Sequence, residues 1–60
     1  MEYDVIDRIE TLYTIEQDKQ MLNDKANAGW RLVSVARVPV RGYSNLYYNR
    51  YYLERKKVKL

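Results

Sequence analysis

The sequence predicts a single α+β domain of β-α-β-β order, a three-stranded sheet with one helix packed on one face. Three observations lead there. Tyr3, Val5 and Ile9 alternate with Asp4, Arg8 and Glu10, the period of a half-buried strand. Residues Ile15–Ala28 carry an amphipathic stripe with cap signals at both ends. Two β-rich segments follow, separated by a turn-forming stretch.

The first strand is expected over Glu2–Thr11, with Ile6 and Asp7 interrupting its alternation. The helix is expected over Ile15–Ala28. Thr14 and Gln17 fit a capping box, in which the threonine oxygen takes an orphan amide and the glutamine reaches back to the cap. Glu16 and Asp18 sit near the positive end of the helix dipole. Gly29 suits the left-handed position that closes a helix. Ile15, Leu22 and Ala26 share one face, with Met21 beside them. The second strand is expected over Trp30–Val38, with Pro39 ending its pairing or confining it to an edge. Arg41–Asn45 reads as a hairpin turn, and Leu46–Arg55 as the last strand because tyrosine and leucine favour extended backbone. Lys56–Leu60 is a basic end expected to fray.

The last two strands should form an antiparallel hairpin. The first should reach the sheet through the helix by a right-handed crossover. The expected order places the last strand between the other two. Trp30, Leu32, Leu22, Ile15, Val5 and Leu53 are the expected core. One helix covers only one face of such a sheet. Trp30, Leu32, Ser34 and Ala36 are assigned to the covered face because the two small residues admit a close helix, and Tyr47, Tyr51 and Leu53 join them. Val33, Val35, Tyr48, Arg50 and Tyr52 then lie on the open face, with Arg31 and Arg37 on the same side of their strand.

Size and composition narrow the function. Sixty residues make one domain, which at this length buries only about 60% of its unfolded surface. Cysteine and histidine are both absent, which removes disulfides and zinc sites of Cys and His. An efficient core or a partner chain is left to supply stability. Residues 1–9 hold no continuous apolar core and no stretch nears the roughly 20 apolar residues of a membrane span. Neither a signal peptide nor membrane insertion is expected, and cytoplasm is the expected compartment. The net charge is +3, but all acids except Glu54 fall within residues 1–25. Seven tyrosines and one tryptophan stand against no phenylalanine, a usage suited to interfaces and thin cores.

The segment Asn27-Ala28-Gly29-Trp30-Arg31-Leu32-Val33 is the most distinctive. It resembles a small bacterial and phage domain-of-unknown-function family whose hallmark at a helix-to-strand junction reads Gly-Trp-Glu-Leu-Val. Glu2-Tyr3-Asp4-Val5 is similar to that family's opening strand, and Tyr51-Tyr52-Leu53-Glu54-Arg55 to its closing one. Arg31 stands where the family commonly has an acid, and Pro39–Asn45 is this chain's own insert. The resemblance implies a compact β-α-β-β domain and no activity. Gly29 and Trp30 read as architecture, a turn and a core anchor. Short phage and prophage proteins of this kind often act on host proteins, which makes host modulation an expectation by association.

Nothing in the chain assembles a catalytic set. Nucleophile–base pairs built on His or Cys are excluded, and only two glycines exist to form a phosphate loop. Asp4, Asp7 and Glu10 are the nearest acids to a carboxylate pair, but a solvated strand edge accounts for them more simply. No enzyme activity, cofactor or metal is expected. Two binding classes stay open. Tyrosine and arginine are the residue types of interface hot spots, so a protein partner or a second copy of the chain is the first. Tyr48, Arg50 and Tyr52 at alternate positions, followed by Lys56, Lys57 and Lys59, also suit base stacking with phosphate contacts, so nucleic acid is the second. Tyr48, Arg50, Tyr52, Val33, Val35, Arg31 and Arg37 are the candidate contact residues for either.

Overall fold

The computed structural model describes residues 1–11 and 14–57. Strand β1 (Glu2–Ile9), helix α1 (Ile15–Asn27), strand β2 (Arg31–Pro39) and strand β3 (Tyr47–Arg55) follow in that order. The sheet runs β1-β3-β2, with both neighbours antiparallel to β3. This is the α+β class, the element order and the strand order expected from the sequence. β1 and β2 run parallel to each other and are kept apart by β3, the strand richest in tyrosine. The expected basic end lies outside the described residues from Val58 onward.

The helix closes as its sequence requires. Gly29 adopts φ +90°, a backbone open to glycine and strained for other residues. Its amide donates to the Ala26 carbonyl (3.0 Å), and the Trp30 amide donates to the Lys25 carbonyl (2.9 Å). These are the two bonds of a Schellman motif, and they turn the chain directly into β2. The start differs from expectation. Thr14 makes no side-chain cap to α1. Its hydroxyl instead donates to the Thr11 carbonyl (3.0 Å) and accepts from the Thr11 amide (3.1 Å), while Gln17 accepts from Arg8 (3.5 Å). The polar groups of the preceding turn and strand outcompete the capping box.

The helix also presents a different stripe to the sheet. Asp18 is buried and Met21, Leu22 and Lys25 are half-buried, whereas Ile15 and Ala26 are exposed. At about 100° per residue, the contact stripe is rotated some 70° from the apolar one. The cause is electrostatic. Asp18 accepts hydrogen bonds from Arg8 Nε (3.0 Å) and from the Tyr51 hydroxyl (2.9 Å), and Lys25 pairs with Asp4 (2.9 Å). Arg8 and Asp4 belong to the same face of β1, so that face turns to the helix and carries Ile6 with it. The opposite set, Tyr3, Val5 and Ile9, faces away.

Three expected core residues are corrected: Val5 is 51% exposed, Ile15 72% and Leu32 43%. Leu53 is buried as expected, and Trp30 and Leu22 are half-buried. Leu32 stands opposite Leu53 on the helix side and is nonetheless exposed. Among the described residues, Tyr51 and Leu53 are the only buried hydrophobic side chains.

A bulge settles the faces of β2. Leu32 pairs with Leu53 and Ser34 with Tyr52, leaving Val33 as the extra residue. One inserted residue flips every position after it. Ser34 and Ala36, expected under the helix, lie instead opposite Tyr52 and Arg50 on the open face. Val35 and Arg37, expected on the open face, lie opposite Tyr51 and Asn49 on the helix side.

Candidate functional site

Cross-strand partners share a face, so the register draws the open face as a grid. Tyr3, Glu54 and Arg31 form its first row, and Val5, Tyr52 and Ser34 its second. Asp7, Arg50 and Ala36 form the third, and Ile9, Tyr48 and Val38 the fourth. Val33, displaced by the bulge, lines a shallow depression with Tyr3, Val5 and Tyr52. Tyr3, Val5, Ile9, Val33 and Tyr52 are all exposed there.

Of the residues expected to make contact, Tyr48, Arg50, Tyr52, Arg31 and Val33 come together on this face. Val35 and Arg37 do not, because of the bulge. Tyr3, Val5 and Ile9 belong to the surface without having been anticipated in it. Their alternation was visible, but alternation defines a face without saying which way it turns.

The charges on the open face are paired. Arg50 lays its guanidinium fork on Asp7, Nε to Oδ1 at 2.8 Å and Nη2 to Oδ2 at 3.2 Å. Nη2 also donates to the Tyr48 hydroxyl (3.2 Å), which fixes the ring beside it. These hydrogen bonds hold the Asp7 carboxyl below the usual carboxylate range, against a smaller opposing effect of desolvation. Arg31 donates to Glu54. The face thus carries two acids and two bases, each neutralised by a cross-strand neighbour.

The helix side is paired as well. Arg37 makes a two-point contact with Glu10 (2.9 and 3.1 Å) and stacks over the Tyr47 ring at 4.0 Å. Arg55 grips Glu2 (3.0 Å) and lies 4.5 Å from the Trp30 ring centre, with Lys25 at 5.5 Å from it. The charge asymmetry of the sequence folds back on itself: Glu2, Asp7 and Glu10 of the acidic half meet Arg55, Arg50 and Arg37 of the basic half. Asp4, Asp7 and Glu10 do not converge as a carboxylate pair. Each has its own cation, and Asp7 lies on the opposite face from the other two.

A larger concavity of about 710 Å³ opens on the helix side, lined by Ile15, Leu22, Asn49 and Tyr51 among others. Its one buried polar residue, Asp18, is the acceptor already held by Arg8 and Tyr51. Sequence reasoning placed Asp18 at the helix dipole and missed this role. The only trace of it in sequence is the spacing of Asp18, Leu22 and Lys25 along one helix face. No helix among the described residues is long and apolar enough to cross a membrane.

Comparison with known proteins places a family model, described as a domain of unknown function (DUF4177), on residues 2–56. No curated protein and no solved structure matches the chain.

Proposed function

We propose that this chain, which belongs to the DUF4177 family, is a non-enzymatic protein-binding domain whose contact surface is the open face of its sheet. One observation carries the reading. The open face displays Tyr3, Val5, Ile9, Val33 and Tyr52 to solvent, while only Tyr51 and Leu53 are buried hydrophobics among the described residues. A small domain that leaves more apolar surface on one face than it encloses has a use for that face. Tyrosines flanking a held arginine supply the rigid, amphipathic groups that dominate protein interfaces.

Nucleic acid is the weaker reading. Phosphates would have to displace Asp7 from Arg50 and Glu54 from Arg31, and the two displaced carboxylates would then repel them. Under the proposed function the domain works in the cytoplasm and, where it is phage-encoded, on a host protein.

The test is affinity capture with wild type and with a folded Tyr48→Ala/Tyr52→Ala variant, repeated across a salt series and with nuclease. A protein held by wild type, insensitive to salt and nuclease and lost with the double variant, is the expected result. Capture that disappears with nuclease, or falls steeply with salt, moves the function to nucleic acid. Capture that survives the double variant moves the contact off this face.

A further inference from the structure

We infer that the occupant of the open sheet face is a second copy of this chain, packed face to face about a two-fold axis that crosses the strands at Tyr52. The inference rests on the contact surface proposed above and names its partner.

Surface area is the first argument. Tyr3, Val5, Ile9, Val33 and Tyr52 stand exposed together on one face, a patch of the kind that a standard interface of approximately 800 Å² per partner covers. A lone sheet layer with one helix is flat, and a second layer against it is the sandwich that encloses a core of normal thickness.

Charge is the second argument, and it selects both the partner and the axis. The face holds Asp7, Arg50, Arg31 and Glu54, so it has no net attraction for an acidic or basic surface. It is instead complementary to itself. On β3, Arg50 and Glu54 lie two positions to either side of Tyr52. In an isologous contact, if residue i of one copy meets j of the other, then j meets i. An axis crossing the strands at Tyr52 sets Arg50 of each copy against Glu54 of the other, twice. An axis running along the strands sets Arg50 against Arg50 and Glu54 against Glu54, which repels. The crossing axis also stacks the row of Val5, Tyr52 and Ser34, with the bulged Val33 beside it, on its own copy, leaving the charges to flank it.

The experiment measures solution mass by light scattering after gel filtration, at about 100 µM protein, a concentration suited to interfaces of this size, whose affinities reach from micromolar to picomolar. Wild type is expected at twice the monomer mass. Tyr52→Arg puts like charges on the axis and is expected to run as a folded monomer. Val5→Lys, on an exposed edge position, gives the same readout with less demand on the fold. The decisive arm uses Arg50→Glu and Glu54→Arg. Each alone is expected to be monomeric, and an equimolar mixture is expected to regain the double mass, because mixing restores both opposed pairs; a purely structural role for these residues gives no such rescue. Monomeric wild type overturns the second copy as occupant while leaving the face free for another protein. A dimer that persists in both Tyr52→Arg and Val5→Lys overturns this inference and the contact surface it rests on together. A dimer lost in the single variants but not regained by mixing overturns the axis.

Discussion

The Tyr51 hydroxyl donates to Asp18 Oδ2 across 2.9 Å, tying the buried centre of β3 to the first turns of α1. Arg8 completes the link by donating to Oδ1 at 3.0 Å, so one carboxylate joins helix, central strand and edge strand. The helix owes its orientation to this junction more than to its apolar stripe.

Tyr51→Phe is expected to lower stability by about 1.5–3 kcal/mol, the usual worth of a hydrogen bond to a charged group. Urea titration at neutral pH measures it. The alkaline limb gives a second readout. Burial, followed by the neighbouring Asp18, pushes the Tyr51 hydroxyl above its ordinary value of 10.0. A raised folded value means that its contribution is fully present below that value and is lost as pH rises through the raised one. Wild type should therefore weaken above about pH 10, and Tyr51→Phe should show a flatter alkaline limb. Parallel limbs would show that the Tyr51 hydroxyl carries none of the alkaline sensitivity.

The acid limb belongs to the ion pairs of β1. Hydrogen bonds from Lys25 and Arg50 hold Asp4 and Asp7 below the ordinary carboxylate value of 3.8. A lowered folded value means that the contribution is present above 3.8 and is lost as pH falls through the lowered one. Asp4→Asn with Asp7→Asn should reduce the fall in urea midpoint below that pH, relative to wild type. Asp7 is exposed and Asp4 half-buried, so added salt should shrink the difference. Identical acid limbs in wild type and double variant would show these pairs to be without weight.

Gly29→Ala is expected to destabilise the domain by roughly 1–2 kcal/mol, because alanine at φ +90° is strained. The position is open, with nothing within 4 Å of an added Cβ, so backbone strain alone is being measured. For a chain this short the melting temperature should drop by about 5–15 °C. An unchanged melting temperature would mean that the Schellman turn relaxes without cost.

Much of the fold is legible in local chemistry. Strand period, the turn after Pro39, the tyrosine-rich last strand and Gly29 at the helix end all act over a few residues, and each element appears within a few residues of its expected bounds. The contact surface is legible only in part. Tyr48, Arg50 and Tyr52 were assigned to the open face because β3 alternates without interruption. Val35 and Arg37 were misassigned because nothing in Leu32-Val33-Ser34 announces a bulge.

What the sequence determined by itself is the β-α-β-β order, the exclusion of Cys and His chemistry, and the division of each strand into two faces. Those follow from composition and from periods of 2 and 3.6 residues, which are properties of the chain. Only the tertiary structure decided which face meets the helix. A period carries no sign: Tyr3, Val5 and Ile9 alternate equally well inward or outward. The choice fell to Asp18 and Lys25, which draw Arg8 and Asp4 toward α1 and leave the apolar side of β1 to solvent. Burying Asp18 and turning Asp4 to the helix exposes three apolar side chains on the other face, and that exchange is visible only once residues far apart in sequence are brought together.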